Sequence, residues 1–230
     1  MSDLSLVIKR ILDLAGAVLG LAVFGLPMAI VAGLIRLRMG SPVLYRVIRP
    51  GLHAEPFLLY KFRTMRDLVD TAGRSLSDKD RITPLGRFLR KTSFDELPQL
   101  INVLKEQMSL VGPRPLMVEY VKLYTPQQSR RHEVKPGITG LAQIKGRNTL
   151  SWDERFALDV WYVDHASLVL DLRILLQTVV KVLRSDSVSP EGDLDVPSFT
   201  GSLSANGAQH GLHGVPSGPS GDSFSIRIES

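Results

Sequence analysis

Asp95 and Glu96 are two adjacent carboxylates in a strongly basic neighbourhood. Arg87, Arg90 and Lys91 lie just upstream, and Arg114 follows within Val111-Gly112-Pro113-Arg114-Pro115, a stiff loop that holds one guanidinium between prolines. Arginine makes bidentate, permanently charged contacts to phosphate oxygens. A carboxylate set in that field is expected to stay ionised. Facing an electrophilic phosphorus, it can act as a nucleophile and form an acyl phosphate. Two neighbouring carboxylates can also hold Mg²⁺ together with substrate phosphates. Isolated acid pairs at helix starts are commonly just favourable partners for the helix dipole. It is the surrounding arginines that turn this pair towards phosphate chemistry.

Two further stretches could serve the same chemistry. Lys135-Pro136-Gly137-Ile138-Thr139-Gly140-Leu141-Ala142-Gln143, continuing to Gly146-Arg147-Asn148, combines a Pro-Gly turn, further glycines that let backbone approach a ligand, and the cations Lys135 and Arg147. It matches neither a P-loop nor a dinucleotide fingerprint. Tyr60-Lys61-Phe62-Arg63-Thr64-Met65 places Lys61 and Arg63 in an apolar segment. They either snorkel at a membrane surface or point at phosphates. The five histidines have no metal-ligand spacing, and no Ser/His/Asp arrangement stands out.

The elements that must position these residues can be read from local signals. Residues 14–35 carry no charge, and about 20 such residues cross a bilayer core as a helix. Pro27 lies inside this run beside Gly25. Both flanks are basic, with Lys9 and Arg10 before and Arg36, Arg38, Arg46 and Arg49 after. The positive-inside rule draws both flanks to the cytoplasm. A helix broken at Pro27 and returning to its own side satisfies it; a spanning helix with a tolerated proline is the alternative.

Residues 43–48 and 57–65 read as extended segments around a turn at Pro50-Gly51, and the polar stretch 67–80 as a mobile loop. Thr83-Pro84 is a helix start. The next helix is expected over residues 95–108, with Asp95 as N-cap and Pro98 in its first turn; Ser93 and Glu96 could form a capping box there. Ser151 and Glu154 form another capping box, opening a helix to about residue 165. Residues 170–184 read as a last amphipathic helix. Beyond Ser185, serine, glycine and proline dominate without periodicity, and a disordered acidic tail is expected over 185–230. The organisation expected is therefore residues 1–40 as membrane segment, 41–184 as catalytic domain and 185–230 as tail.

Composition bounds the remainder. The net charge of +5 hides an asymmetry: residues 185–230 carry six acids against one base, which leaves +10 on the body and suggests an anionic partner. With no cysteine, disulfides and thiolate metal sites are excluded. Aromatic residues are only 7% and are not interleaved with the basic ones, so a nucleic-acid partner is not expected.

Taken together, Lys61-Phe62-Arg63-Thr64-Met65, Thr92-Ser93-Phe94-Asp95-Glu96-Leu97-Pro98-Gln99-Leu100, Ser109 through Pro115 and Lys135 through Asn148 resemble the bacterial sugar transferases, the monotopic polyprenyl-phosphate phosphoglycosyl transferases. Four motifs occur in the family's order, and the resemblance covers about residues 5–185. It implies an α+β, mainly helical fold. A re-entrant helix-break-helix hairpin at Pro27 would carry a small catalytic domain with amphipathic interfacial helices on the cytoplasmic face of the bacterial inner membrane. The implied activity is transfer of a sugar 1-phosphate from a UDP-sugar to undecaprenyl phosphate with release of UMP, the first membrane step of polysaccharide or glycoconjugate assembly. In that reading Asp95 is the nucleophile that becomes a phosphosugar adduct, Glu96 assists, and Mg²⁺ is required and held by the pair. Lys61, Arg90, Arg114 and Arg147 hold phosphate or nucleotide, and Arg63 and Lys135 are candidates for the same role. Membrane lipids are implied partners, and a homodimer is compatible with the family.

The departures are small: Leu141 stands where many relatives carry tryptophan, and Lys145 where many carry asparagine. Because the chain begins at the hairpin, the minimal form of the family is expected. The Gly146-Arg147-Asn148 ending points to members acting on N-acetylated amino sugars.

Overall fold

The computed structural model describes residues 2–68, 70, 74, 76–146, 149–184 and 198–202. The chain opens with α1, Asp3–Met39, capped by Ser2, whose hydroxyl accepts from the Ser5 amide. Its residues are apolar enough, over enough length, to cross a membrane. Pro27 lies inside α1 and does not end it, so the expected helix-break-helix appears as one 37-residue helix. A proline removes one helical hydrogen bond and bends a helix without having to terminate it.

One face of α1 packs on the domain along most of its length. Ala17 and Leu21 join Phe57, Leu59, Leu100, Val103 and Met108. Val31 and Ile35 join Phe62 and Leu89. Glycines ease this contact: a β-carbon at Gly16 or Gly20 would meet the Leu110 or Leu100 side chain. The opposite face exposes Leu4, Val7, Ile11, Val18, Leu19, Val23, Leu26 and Ile30. So large an apolar surface on one helix belongs against lipid or another apolar partner.

The two extended segments form an antiparallel hairpin. β1, Leu44–Pro50, pairs with β2, Pro56–Phe62, in a register that sets Leu44 opposite Phe62 and Pro50 opposite Pro56. The stretch expected to be a loop contains a short helix, α2, Asp78–Arg81, and its described residue Asp67 pairs with Arg63. α3, Pro84–Lys91, starts where expected, with the Thr83 hydroxyl accepting from the Gly86 amide at 2.9 Å.

The next helix departs from expectation. Phe94–Glu96 is a separate 3₁₀ turn entered through Ser93 in the left-handed region (φ 57°), and α4, Gln99–Leu104, begins only after Pro98. Asp95 is therefore not its N-cap, and Ser93 makes no capping hydrogen bond. Pro98 has no amide hydrogen to donate within a helix, and it stands at the N-cap position with the regular helix following it. At the other end, Glu106 at φ 63° ends any continuation towards Met108.

β3, Ser109–Val111, runs parallel to β4, Gly137–Thr139, and α5, Pro126–Ser129, lies between them in sequence. α6, Leu141–Lys145, follows β4 directly. α7, Trp152–His165, opens with the expected box: Ser151 accepts from the Glu154 amide, and Glu154 accepts from the Ser151 amide at 2.8 Å. α8, Leu168–Arg184, presents Val169, Leu172, Leu176 and Val179 outward while Ile174 is fully buried. Its exposed side is thus the apolar one, as in helices that lie in a membrane interface.

Most of the expected disordered tail lies outside the described residues, but 198–202 correct that expectation locally. Phe199 is buried among Tyr120, Tyr124, Trp152 and Phe156, with ring centroids 5.0 to 5.9 Å away. Its amide donates to the Tyr120 hydroxyl, and Ser202 bridges Gln128 and Asp153. A single large aromatic side chain buries enough apolar area to hold a polar segment that periodicity would leave unassigned.

Candidate active site

The 3₁₀ turn buries both acids of the pair, and their surroundings differ sharply. Glu96 sits between two cations. Lys61 Nζ donates to Oε1 at 2.8 Å, Arg114 Nη2 to Oε1 at 2.7 Å, and Arg114 Nη1 to Oε2 at 3.2 Å. Lys61 arrives from β2 and Arg114 from the loop after β3, so three chain segments meet at one carboxylate. Among the described residues, nothing forms an ion pair or hydrogen bond with the Asp95 carboxyl. Burial, and secondarily the charge of Glu96, raise its pKa to about 6, against the opposing pull of Lys61, Arg90 and Arg114. The expected basic field is present, but desolvation outweighs it. The carboxyl is still ionised above about pH 6.

Arg114 is held from behind. Its carbonyl accepts from Arg131 Nη2 at 2.7 Å, and Arg131 forms a fully buried pair with Asp159 of α7 at 2.7 Å. Gly112, which opens the loop, lies so close to the Lys135 carbonyl that any β-carbon would collide with it. The close approach of β3 and β4 therefore requires glycine there. On its other flank, the Val111 carbonyl accepts from Lys9 of α1 and from the Tyr162 hydroxyl, both of which also contact Asp171.

Two cavities flank the Glu96–Arg114 pair. The first, about 320 Å³, is lined by Arg49, Lys61, Arg114, Arg131 and Arg155, by the acids Asp78 and Asp159, and by Trp152, Tyr120 and Ser198. The second, about 250 Å³, is lined by Phe24 of α1, Phe94, Leu97, Leu100, Ile138 and Ile144, with Lys91 and Lys181 also present and Glu96 and Arg114 at its polar end. Arg114 and Gln143 line both.

Of the other residues singled out in the sequence, Arg90 donates to the Thr64 hydroxyl at 3.1 Å and adds positive potential at Asp95. Arg63 does not join the cluster. It lies just beyond β2, where the chain turns, and its donors reach Met39, Ser41, Met65 and Asp67. Lys135 lines neither cavity. Arg147 lies outside the described residues. Sequence reasoning missed Arg131, Asp159 and Arg155. A basic run such as Arg130-Arg131-His132 reads as a solvated face, and the only available hint was Asp159 on the otherwise apolar side of α7.

The residues also suit a divalent cation. No group of three or more His, Cys, Asp or Glu converges among the described residues. An all-protein cage is therefore not what they form, whereas Mg²⁺ characteristically takes one or two carboxylates and completes its shell with substrate phosphates. The uncommitted carboxyl of Asp95 beside Glu96 fits that pattern.

Comparison with known proteins identifies the family. Residues 4–185 match the family model for bacterial sugar transferases. The chain is 53% identical over 197 residues to the uncharacterized sugar transferase EpsL of Bacillus subtilis (strain 168), covering 86% of this chain and 98% of that protein. It is 41% identical over 191 residues to the UDP-glucose:undecaprenyl-phosphate glucose-1-phosphate transferase of Caulobacter vibrioides (strain ATCC 19089 / CIP 103742 / CB 15), covering 78% and 71%. The exopolysaccharide production protein PSS of Rhizobium leguminosarum bv. phaseoli is 39% identical over 195 residues, covering 78% and 97%. Some relatives are much longer: the galactosyl transferase CpsE of Streptococcus agalactiae serotype III (strain NEM316) is matched over only 42% of its length. With its acid pair, its phosphate-compatible cations and four fifths of its length accounted for, this chain belongs to the bacterial sugar transferase family.

Proposed function

We propose that the protein transfers a sugar 1-phosphate from a UDP-sugar to undecaprenyl phosphate through a covalent phosphosugar adduct on Asp95, releasing UMP. The observation that carries this reading is the division of labour in the acid pair, whose Glu96 lines the second cavity and is bonded to Arg114, which lines both. Glu96 is committed to Lys61 and Arg114, while Asp95 is buried, uncommitted and ionised at neutral pH. The activity for which the Caulobacter relative is named, transfer of glucose 1-phosphate from UDP-glucose to undecaprenyl phosphate, points to the substrates.

The cation-lined cavity suits the diphosphate and nucleotide, because Arg49, Lys61, Arg114 and Arg155 offer fixed donors where charge develops. The apolar cavity, bordered by Phe24 of α1 and Val182 of α8, suits the lipid. An Asp95 carboxylate oxygen attacks the sugar-bearing phosphorus, the bond to the bridging oxygen breaks, and UMP leaves with the electron pair. A phosphate oxygen of the polyprenyl acceptor then attacks the same phosphorus, and the acyl phosphate bond breaks, restoring Asp95. Arg114, touching both cavities, stabilises phosphoryl oxygens in both steps. Mg²⁺, held by the acid pair and the donor's phosphates, would neutralise charge on those oxygens when bound. The N-acetylated amino sugars remain the favoured donors, on the Gly146-Arg147-Asn148 ending.

The same reading makes the protein monotopic at the cytoplasmic face of the inner membrane. Both ends of α1 are tied to one domain: Lys9 and Arg10 donate to the Val111 and Val103 carbonyls, and at the other end the Met39 carbonyl accepts from Arg63. A single aqueous domain lies on one side of a bilayer, so both ends of the helix belong on that side, with its exposed apolar face dipping into the lipid.

The test is UMP release across a panel of UDP-sugars with undecaprenyl phosphate, repeated with Asp95→Asn. The expected result is release by the wild type with at least one donor and loss of both release and phosphosugar labelling in the variant. Release retained by Asp95→Asn would exclude the covalent route.

A further inference from the structure

Gln143 lies in α6, in the glycine-containing stretch that the acid-pair chemistry leaves unused. Both polar atoms of its carboxamide, Nε2 and Oε1, are buried without a hydrogen-bond partner, and among the described residues no other amide side chain has both ends in that state. A buried polar group left unpaired lowers stability, so such a group persists where it has a task. The backbone is shaped to keep it there: a β-carbon at Gly140 would sit 2.7 Å from Gln143 Oε1 and would also collide with the Gly112 carbonyl. Gln143 shares with Arg114 the position of lining both cavities.

That position restricts what it can touch. The nucleotide belongs to one cavity and the lipid chain to the other. Only the group handed from one to the other is within reach of a residue on their common wall. A carboxamide is neutral, donates at one end and accepts at the other. It can therefore donate to a phosphoryl oxygen that Arg114 also holds and accept from a sugar hydroxyl on the same moiety, without cancelling the positive potential the phosphate needs.

We propose that Gln143 binds the transferred sugar 1-phosphate itself, contacting it in both half-reactions. This rests on the two-step transfer proposed above. The test compares wild type with Gln143→Met, which keeps length and removes the polar ends, and with Gln143→Glu, which keeps shape and adds a negative charge beside the phosphate. The probe is whichever of UDP-glucose, UDP-galactose, UDP-N-acetylglucosamine and UDP-N-acetylgalactosamine the wild type uses fastest.

UMP release without acceptor reads the first half-reaction, and discharge of the labelled adduct to undecaprenyl phosphate reads the second. Gln143→Met is expected to slow both by about 10- to 100-fold, and Gln143→Glu by more. The melting temperature of Gln143→Met should stay at or above that of wild type, because an unpaired buried amide is replaced by an apolar group. Equal activity of wild type and Gln143→Met overturns the assignment, as does slowing of only one half-reaction. Slowing accompanied by a lower melting temperature also overturns it, since that is the mark of a structural role. A wild type that releases no UMP from any donor would instead overturn the transfer reading, and this assignment with it.

Discussion

The two cavities on either side of Glu96 and Arg114 are built from different materials. The larger is lined by five cationic side chains together with Asp78, Asp159 and several apolar residues, and it includes Tyr120 and Trp152 of the aromatic cluster that holds Phe199. The smaller is walled by aliphatic and aromatic side chains from the 3₁₀ turn, α4 and α6, with Phe24 reaching in from α1. Its lining includes residues of α1 and α8, the two helices whose outer faces are apolar. A charged, water-borne donor and a lipid acceptor cannot share one environment, because each is poorly solvated where the other is well solvated. Two chambers sharing Arg114 and Gln143 as a common wall suit the transfer proposed above, with Asp95 outside the lining of either and its neighbour Glu96 bonded to Arg114.

Outside the acid pair, the largest effect should come from the wall. Arg114→Ala removes a cation from both cavities and leaves Glu96 with Lys61 alone, so kcat for UMP release should fall about 10²- to 10³-fold. If the change raised only the donor KM, Arg114 would belong to one chamber and the comparison would fail.

Next is the buried pair behind it. Arg131→Met strands the Asp159 carboxylate and should lower stability by roughly 3–5 kcal/mol in denaturant unfolding. Arg131→Met with Asp159→Leu should recover most of that while activity remains low, because the Arg114 carbonyl has still lost its donor. Recovery of both would show that Arg131 has no positioning role.

Asp95 offers a pH test. Its carboxyl must be ionised to attack, and its pKa is raised to about 6. kcat/KM for the first half-reaction should therefore be level above about pH 7 and fall roughly tenfold per unit below pH 6. The stability sign is the opposite. A carboxyl whose folded pKa lies above its unfolded value weakens the fold above that pKa, and the penalty is relieved as pH falls from about 6 towards 4. Asp95→Asn should accordingly raise the melting temperature at pH 8 while abolishing turnover; a lower one would contradict the assignment of an uncommitted buried charge.

The smallest and most discriminating pair is Phe199→Ala against Phe24→Ala. Phe24 makes an edge-on contact with Phe94 at 5.9 Å, and such contacts are worth about 0.5–1.5 kcal/mol. Phe24→Ala should raise the KM for undecaprenyl phosphate about 2- to 10-fold and leave that for the UDP-sugar unchanged. Phe199→Ala should do the reverse. A crossed result would exchange the two chambers.

Local devices were legible in the sequence. The Thr83 cap and the Ser151–Glu154 box involve groups three residues apart, and their chemistry does not depend on the remainder of the fold. The start of α4 was not legible, because α4 begins behind Pro98 and the acid pair lies in its own 3₁₀ turn. Lys61 and Arg63 looked equivalent, yet one reaches Glu96 and the other ties down the end of α1. Phe199, alone in a polar stretch, had no periodic partner to reveal that it would be buried.

The order of residues by itself determined the long apolar segment, the acid pair with its basic neighbours, and the four motifs that place the chain in its family. These are matters of composition and short-range spacing. Only the tertiary structure decided which acid is paired and which has no partner among the described residues, that Arg131 and Asp159 brace the Arg114 loop from 28 residues apart, and that Gln143 lines both chambers. Each of those depends on desolvation and on contacts between segments distant in sequence. Both are properties of how the chain is packed, and no local reading of residue types contains them.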